Sequence, residues 1–326
     1  MHFPVRTTAV LALLGLAAIA PLAQAQDNYP TKPIRLVVGF PAGGPTDVVA
    51  RAFGEFAARS LGQPVVVDNK PGANTILAAE AVASAPPDGY TLLLGALNHT
   101  MIPALYSNRV KFDALRSFVP VCSMAVSPTV LVVGPSMPVK TLSEFLAAVR
   151  AKPGERTYAT PGSGSGGHFA SEQFNRLAGT RMNHIPYKGA AQAVTDLMGG
   201  QVDSSFATLG SVIPQVQSGK LRALAVASPQ RSPLLPDVPT FEESGVKGYS
   251  ADAWYGLLAP AGTPPEIVAK LTKASADFAR VPATAEKLRG LGMQPQNTCG
   301  GAFTAQLDGE IKAATKTARE LDLKLD

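Results

Sequence analysis

The sequence predicts an α/β protein in two lobes, with a ligand cleft between them. Three observations carry this. Short aliphatic runs alternate with helix-periodic segments, the order that builds a parallel sheet. The order breaks off near Ser127-Pro128 and then begins again. Each half also holds one glycine-rich turn between a strand and a helix: Gly39-Phe40-Pro41-Ala42-Gly43-Gly44-Pro45 in the first, and Thr160-Pro161-Gly162-Ser163-Gly164-Ser165-Gly166-Gly167-His168 in the second.

In the first half, Ile34–Val38 has the composition of a buried strand. Three glycines and two prolines end it. Thr46 and Asp47 then offer capping side chains to a helix whose apolar stripe is Val49, Ala52, Phe53, Phe56 and Ala57, with Arg51, Glu55 and Arg59 set apart. Such a turn gathers free backbone N–H groups and the positive end of a helix at one spot, a place for an anion. An ordinary β–α turn with glycines for tight geometry has the same residues. Next come a strand at 64–68, a turn at 69–73, the helix Ile76–Ala83, the turn Pro86-Pro87-Asp88-Gly89 and a strand at 91–94. Residues 95–100 read as a polar loop. Ligands collect at the carboxyl ends of such strands, where these loops lie.

The apolar runs 119–125 and 129–133, split by Ser127-Pro128, read as a crossing between domains. The second half gives a helix at 142–149, a strand ending at 159, the second glycine loop, a helix at 169–177, a strand at 182–186 and the helix Ala190–Met198. A strand at 202–207, a loop at 208–211 and a strand at 221–227 follow. A proline-rich connector spans 229–239, and 253–258 crosses back. Helices near 266–278, 283–291 and 302–321, with no strand between them, should dress an existing lobe. The domains expected are a signal peptide at 1–25, one lobe at 26–126 plus 252–326, and a second lobe at 127–251.

Composition excludes several classes. Of 326 residues, 46% are hydrophobic and 16% charged, so the chain can bury a large core and is not disordered. The net charge of +5 is spread without a basic run of nucleic-acid type. Arg6, the apolar run 9–20 and the small-x-small site Ala23-Gln24-Ala25 form a secretory signal, with cleavage expected after Ala25 and a periplasmic destination. An exported compartment permits a disulfide, but sequence leaves open whether Cys122 and Cys299 are bridged or separate. These cysteines and His2, His99, His168 and His184 show no metal-ligand spacing, and no cofactor is implied.

Gly162, Gly164 and Gly167 match a dinucleotide fingerprint, but no acid follows to hold a ribose, and no phosphate-loop lysine follows either loop. No G-x-S-x-G elbow exists. One catalytic alternative stands: an exported α/β hydrolytic enzyme using Ser163 or Ser165 with His168.

Seven segments in order resemble one family. They are Tyr29-Pro30-Thr31-Lys32-Pro33-Ile34, the 39–47 loop, Asn69-Lys70-Pro71-Gly72-Ala73, Pro87-Asp88-Gly89-Tyr90-Thr91-Leu92, Ile185-Pro186-Tyr187-Lys188-Gly189, Gly200-Gln201-Val202-Asp203 and the stretch from Trp254 to Pro264. Nearly the whole mature chain resembles the substrate-binding proteins of tripartite tricarboxylate transporters, the Bug-type periplasmic receptors. The resemblance implies a two-lobed, type II periplasmic-binding-protein fold that closes on a small carboxylate without doing chemistry. It implies that backbone amides of the two facing loops, with ordered waters, hold the carboxylate.

Carried over by position, the ligand-binding residues are Ala42, Gly43, Gly44 and Asp47 from the first loop, and Gly162, Ser163, Gly164, Ser165 and His168 from the second. Asp203 and Thr208 stand nearby, and Asn98 and Thr100 line the distal end. For Asp47, ligand contact and helix capping both remain open. The ligand implied is a dicarboxylate, tricarboxylate, amino acid or aromatic acid. The partners implied are membrane transporter subunits or a signalling system, the receptor itself being a monomer. One departure stands out: where the family commonly shows a glycine-rich turn, this chain has Asn74-Thr75-Ile76-Leu77. That loop should be stiffer and more polar, and specificity would not carry over from relatives if it lines the pocket.

Overall fold

The computed structural model describes residues 28–106, 109–249, 251–320 and 323. The expected signal peptide lies outside the described residues. The elements in chain order are β1 (Ile34–Val38), α1 (Pro45–Leu61), β2 (Val65–Asn69), α2 (Ile76–Ala83), β3 (Thr91–Ala96), α3 (Asn98–Leu105) and β4 (Phe118–Val133). The second half continues with α4 (Leu142–Ala151), β5 (Thr157–Thr160), α5 (Gly166–Ala178), β6 (Asn183–Pro186), α6 (Ala190–Met198), β7 (Ser204–Thr208), α7 (Leu209–Gln217) and β8 (Arg222–Val226). The chain closes with β9 (Asp252–Pro260), α8 (Pro265–Arg280), α9 (Pro282–Gly290), β10 (Gln294–Cys299) and α10 (Gly301–Glu320).

β1 lies between parallel β2 and β3, and β9 joins β3 to β4 by antiparallel pairing. In the second lobe, β5 lies between parallel β6 and β7, and β7 and β8 both pair antiparallel with β4. β4 therefore serves both lobes: its first half pairs with β9 and β10, its last five residues with β7 and β8. The two apolar runs read from sequence are this one strand. Ser127 and Pro128 sit where its partners change, and the Ser127 hydroxyl donates to the Gly292 carbonyl at 3.1 Å. A proline costs little there, because no continuous ladder needs its missing N–H.

Each lobe has its own core. In the first, Ile34, Leu36 and Val38 of β1 pack with Val49, Phe53 and Ala57 of α1, and Arg51, Glu55 and Arg59 stay exposed as the helical stripe requires. In the second, Tyr158, Phe174, Phe206 and Phe241 form the centre of an aromatic cluster.

Three expectations are corrected. Residues 95–100 are not a polar loop: β3 runs to Ala96 and α3 begins at Asn98. Their polar side chains suggested a loop, yet they are buried and partnered internally. Asn98 Nδ2 donates to the Asn74 carbonyl at 3.1 Å, and His99 Nε2 lies 2.7 Å from the Ala114 carbonyl. Residues 208–211 likewise open α7, whose buried face is Leu209, Val212 and Ile213.

The C-terminal helices do have a strand between them, β10. Gln294-Pro295-Gln296-Asn297-Thr298-Cys299 is polar and contains a proline, both compatible with a strand that pairs on one side only. Its register sets Cys299 opposite Cys122 with α-carbons 4.0 Å apart, and the two form a disulfide. The bridge ties residues 177 apart in sequence, a loop long enough for the chain-entropy argument to give about 5 kcal/mol, the upper end of what disulfides contribute.

Candidate ligand-binding site

The first glycine loop is held by its own lobe. Gly44, at φ −81°, is the N-cap of α1 and Pro45 follows it, so no side chain caps this helix. Thr46 and Asp47 lie within the first turn and are not the cap. Asp47 instead braces the loop from inside that turn. Its carboxylate accepts from the Gly43 N–H at 2.9 Å, Asn69 Nδ2 at 2.9 Å and Arg51 Nε at 2.9 Å. Burial raises its pKa, but the hydrogen bonds from Arg51, Gly43 and Asn69 outweigh this and hold the carboxyl below its ordinary value. Gly43 has φ +85°, a conformation that glycine reaches at little cost.

The second loop differs. Ser165 is the N-cap of α5 and its hydroxyl accepts from the His168 N–H at 3.3 Å. The Gly164 N–H donates to His168 Nδ1 at 3.1 Å, which requires a ring unprotonated at that nitrogen. His168 stacks on His184 with ring centres 4.0 Å apart. Burial lowers both pKa values, His184 to about 3, so both rings are neutral at physiological pH. On its outer side this loop meets the first lobe: Asn74 Nδ2 donates to the Gly164 carbonyl at 2.8 Å, and the Tyr106 hydroxyl donates to the Ser163 carbonyl at 2.9 Å.

Between the loops lies a cavity of about 360 Å³. Among the described residues, the starts of five helices reach its wall: Pro45 and Thr46 of α1, Asn98 of α3, Gly166 and Gly167 of α5, Ala190 to Gln192 of α6, and Thr208, the N-cap of α7. The first-turn amides of a helix have no intrahelical acceptor, and each helix start carries roughly half a positive charge. Phe40, Leu97, Phe206 and Tyr255 supply apolar walls. Among the described lining residues only Lys188, at an exposed position, carries a formal charge. Thr46 and Thr129 are 5% and 4% exposed, and neither hydroxyl is engaged by a described protein group. The Tyr255 phenol is raised by burial, with a hydrogen bond from Thr208 opposing. The arrangement can bind a small anion with an organic body.

Of the residues singled out from sequence, Ala42, Gly44, Asn98, Ser165 and Thr208 line this cavity. Gly43 and Asp47 support the first loop from behind, and Gly162, Ser163, Gly164 and His168 support the second. The amides of Gly43, Gly162 and Gly164 are taken by Asp47, Thr160 and His168, so they are not free to meet a ligand as the sequence reading expected. Thr100 is buried, with its hydroxyl 2.8 Å from the Leu97 carbonyl and 3.1 Å from Glu310. Asp203 is at the wrong end of its strand. It precedes β7, whose carboxyl end carries Thr208, and it pairs with Arg156 at 3.3 Å and accepts from the Thr157 N–H at 2.9 Å.

The catalytic alternative is also corrected. The Ser165 hydroxyl is spent capping α5, and His168 Nδ1 is spent on a backbone amide. The sequence reading expected the helix Ala190–Met198 but did not place its start, or Lys188, in the site. The signal was present, since Tyr187-Lys188-Gly189 is another turn between a strand and a helix, but it holds one glycine. Thr129, Phe206 and Tyr255 lie on strands and carry no local mark of a site.

Comparison with known proteins agrees with this geometry. The profile described as tripartite tricarboxylate transporter family receptor matches residues 49–317. Protein BugT of Bordetella pertussis is 36% identical over 323 residues, 98% of this chain and 99% of the relative. Among solved structures, R. palustris Rpa4515 with adipate is 34% identical, with a TM-score of 0.86 over 91% of this chain and 100% of that chain. MatC from Rhodopseudomonas palustris with bound malate is 34% identical, with a TM-score of 0.83 over 89% of this chain and 99% of that chain.

Proposed function

The chain belongs to the tripartite tricarboxylate transporter receptor family, and from that premise we propose that it binds a small organic carboxylate in the cleft and delivers it to a membrane transporter of the tripartite type. It is a solute-binding receptor and not an enzyme. The family is one of periplasmic binding proteins, and no described helix is long and apolar enough to cross a membrane. In our reading the chain is exported, cut after Ala25 and acts as a monomer. One lobe comprises 26–126 plus 252–326 and the other 127–251, with the division falling inside β4.

One observation carries the ligand class: several helix starts meet in a cavity whose described wall holds one formal charge, a lysine at the rim. Backbone amides in that arrangement favour a negative oxygen without an arginine clamp. Ala42, Gly44, Ser165, Asn98 and Thr208 are the predicted residues that support this site, joined by Thr46, Gly166 and Gly167. Dicarboxylates come first among the candidates, since two relatives carry adipate and malate.

The test is a thermal-shift panel of adipate, malate, glutamate, citrate and benzoate against uncharged sugars. A ligand at 100 times its dissociation constant adds about 2.7 kcal/mol of stability, a clear rise in Tm. Stabilisation by sugars and by none of the acids would overturn the assignment.

A further inference from the structure

Asn74 and Tyr106 belong to the first lobe, yet both donate to carbonyls of the second lobe's glycine loop, at 2.8 Å and 2.9 Å. The peptide units they hold are also held from the other side. The Ser163 carbonyl shares its peptide with the Gly164 N–H, which donates to His168 at 3.1 Å. The Gly164 carbonyl shares its peptide with the Ser165 N–H, which donates to the Gly162 carbonyl at 3.1 Å. Two consecutive peptides are thus clamped between the lobes, immediately before the start of α5. The fit is close. A β-carbon on Gly164 would stand 2.8 Å from the Tyr106 hydroxyl and 2.9 Å from Asn74 Nδ2.

The segment that carries Asn74 is itself unusual. Ala73, Asn74 and Thr75 all have positive φ, at 46°, 49° and 72°, and for a β-branched residue this is a genuine outlier. Such conformations persist only where the surroundings over-determine them. Here Asn98, on the cavity wall, donates to both the Asn74 carbonyl and the Thr75 hydroxyl. The strained turn is thereby tied to the ligand site at one end and to the opposite lobe at the other.

We propose that Asn74 and Tyr106 are positioning residues for the second half of the anion site. By gripping the Ser163 and Gly164 carbonyls they fix the entry to α5, so that Gly166 and Gly167 face the cleft only when the lobes are closed. The proposal rests on the carboxylate reading. It also predicts where the effect falls: ligand enters the open form, and the grip, which part of the ligand-free population already makes, then holds it, so its loss speeds ligand release and leaves association unchanged.

The variants are Tyr106→Phe, which removes one hydroxyl, Asn74→Ala, and the pair together. Stopped-flow binding of adipate and malate gives the rates, and spin labels at residues 152 and 266, on opposite lobes, give the closed fraction. The pair should raise Kd at least tenfold through koff, with kon within twofold of wild type and the ligand-free Tm little changed. Its closed fraction should fall, with or without acid. Unchanged koff and closed fraction in the folded double variant would overturn the proposal, as would equal changes in kon and koff, which a general distortion would produce. If no acid binds the wild type, the carboxylate reading fails by itself, and the ligand-free closed fraction still decides: a loss in the double variant supports the clamp, and no closed fraction in the wild type overturns it.

Discussion

The two glycine loops occupy matching places in the two lobes, each joining the carboxyl end of a strand to the start of a helix, but they are held differently. The first is complete within its own lobe. Asp47 ties its Gly43 amide to Asn69 and Arg51, so the loop has its shape whether or not the lobes meet. The second depends on two supports, a neutral histidine at its own end and, from the other lobe, the side chains of Asn74 and Tyr106. One half of the cleft is therefore preformed, and the other is finished by closure. A receptor built this way can admit a ligand onto the first loop and commit to it with the second.

Breaking the preformed half should have the largest effect. Asp47→Ala removes a buried carboxylate and leaves the Gly43 and Asn69 donors without it, which should cost on the order of 3 kcal/mol and lower the Tm of the ligand-free protein. Differential scanning calorimetry without ligand measures this directly.

Valine scanning of the glycines sharpens the contrast. Gly164 has φ +75°, so Gly164→Val should weaken binding of adipate or malate tenfold or more, about 1.4 kcal/mol. Gly44 has extended backbone with its nearest neighbour 3.8 Å from a built β-carbon, so Gly44→Val should keep the fold and cost less affinity. Calorimetric titration of the two variants checks the order, and equal losses would erase the distinction.

Acid should separate the loops further. His168 and His184 have pKa values lowered by burial, below the ordinary 6.5. The stability they carry is complete above that value and is lost as pH falls toward the folded pKa, which for His184 is about 3. Asp47, with a pKa already below the ordinary 3.8, stays charged across most of that range. Between pH 6.5 and 5, then, the stability contributed by the histidines of the second loop should decline while that of the Asp47 contacts holds. The Tm of the ligand-free protein should fall across that window, and His168→Asn should flatten the decline when thermal unfolding is followed against pH.

The smallest effect is at a cap that only the second loop has. Ser165→Ala should destabilise α5 by about 1 kcal/mol, read as a shift in urea midpoint. The first loop has no side-chain equivalent to remove.

These asymmetries set what the sequence could show. The strand–turn–helix order, both glycine loops and the crossing at Ser127-Pro128 all follow from local pattern, and the structure places β1, α2 and α6 at the expected residues. Three things had no local signature. The polar side chains of Asn98, His99 and Thr100 looked solvent-facing because their partners, Asn74, Ala114 and Leu97 or Glu310, are mostly distant in sequence. The edge strand β10 is polar, so its pairing and the cysteine bridge it creates could not be read. The direction of each amide in the loops also depends on side chains from elsewhere, which is why Gly43 and Gly164 looked like donors to a ligand and are in fact engaged internally.

The central claim is that helix starts, and not charged side chains, select a negative oxygen in this cleft. The most direct measurement is calorimetric titration of the wild-type protein with the tightest acid of the carboxylate panel and with the matching neutral amide, at one pH and ionic strength. The acid should bind at least 100-fold more tightly, about 2.7 kcal/mol, because the two ligands share their shape and differ in charge. An amide that binds as tightly as its acid, or a panel in which no acid binds, would contradict it.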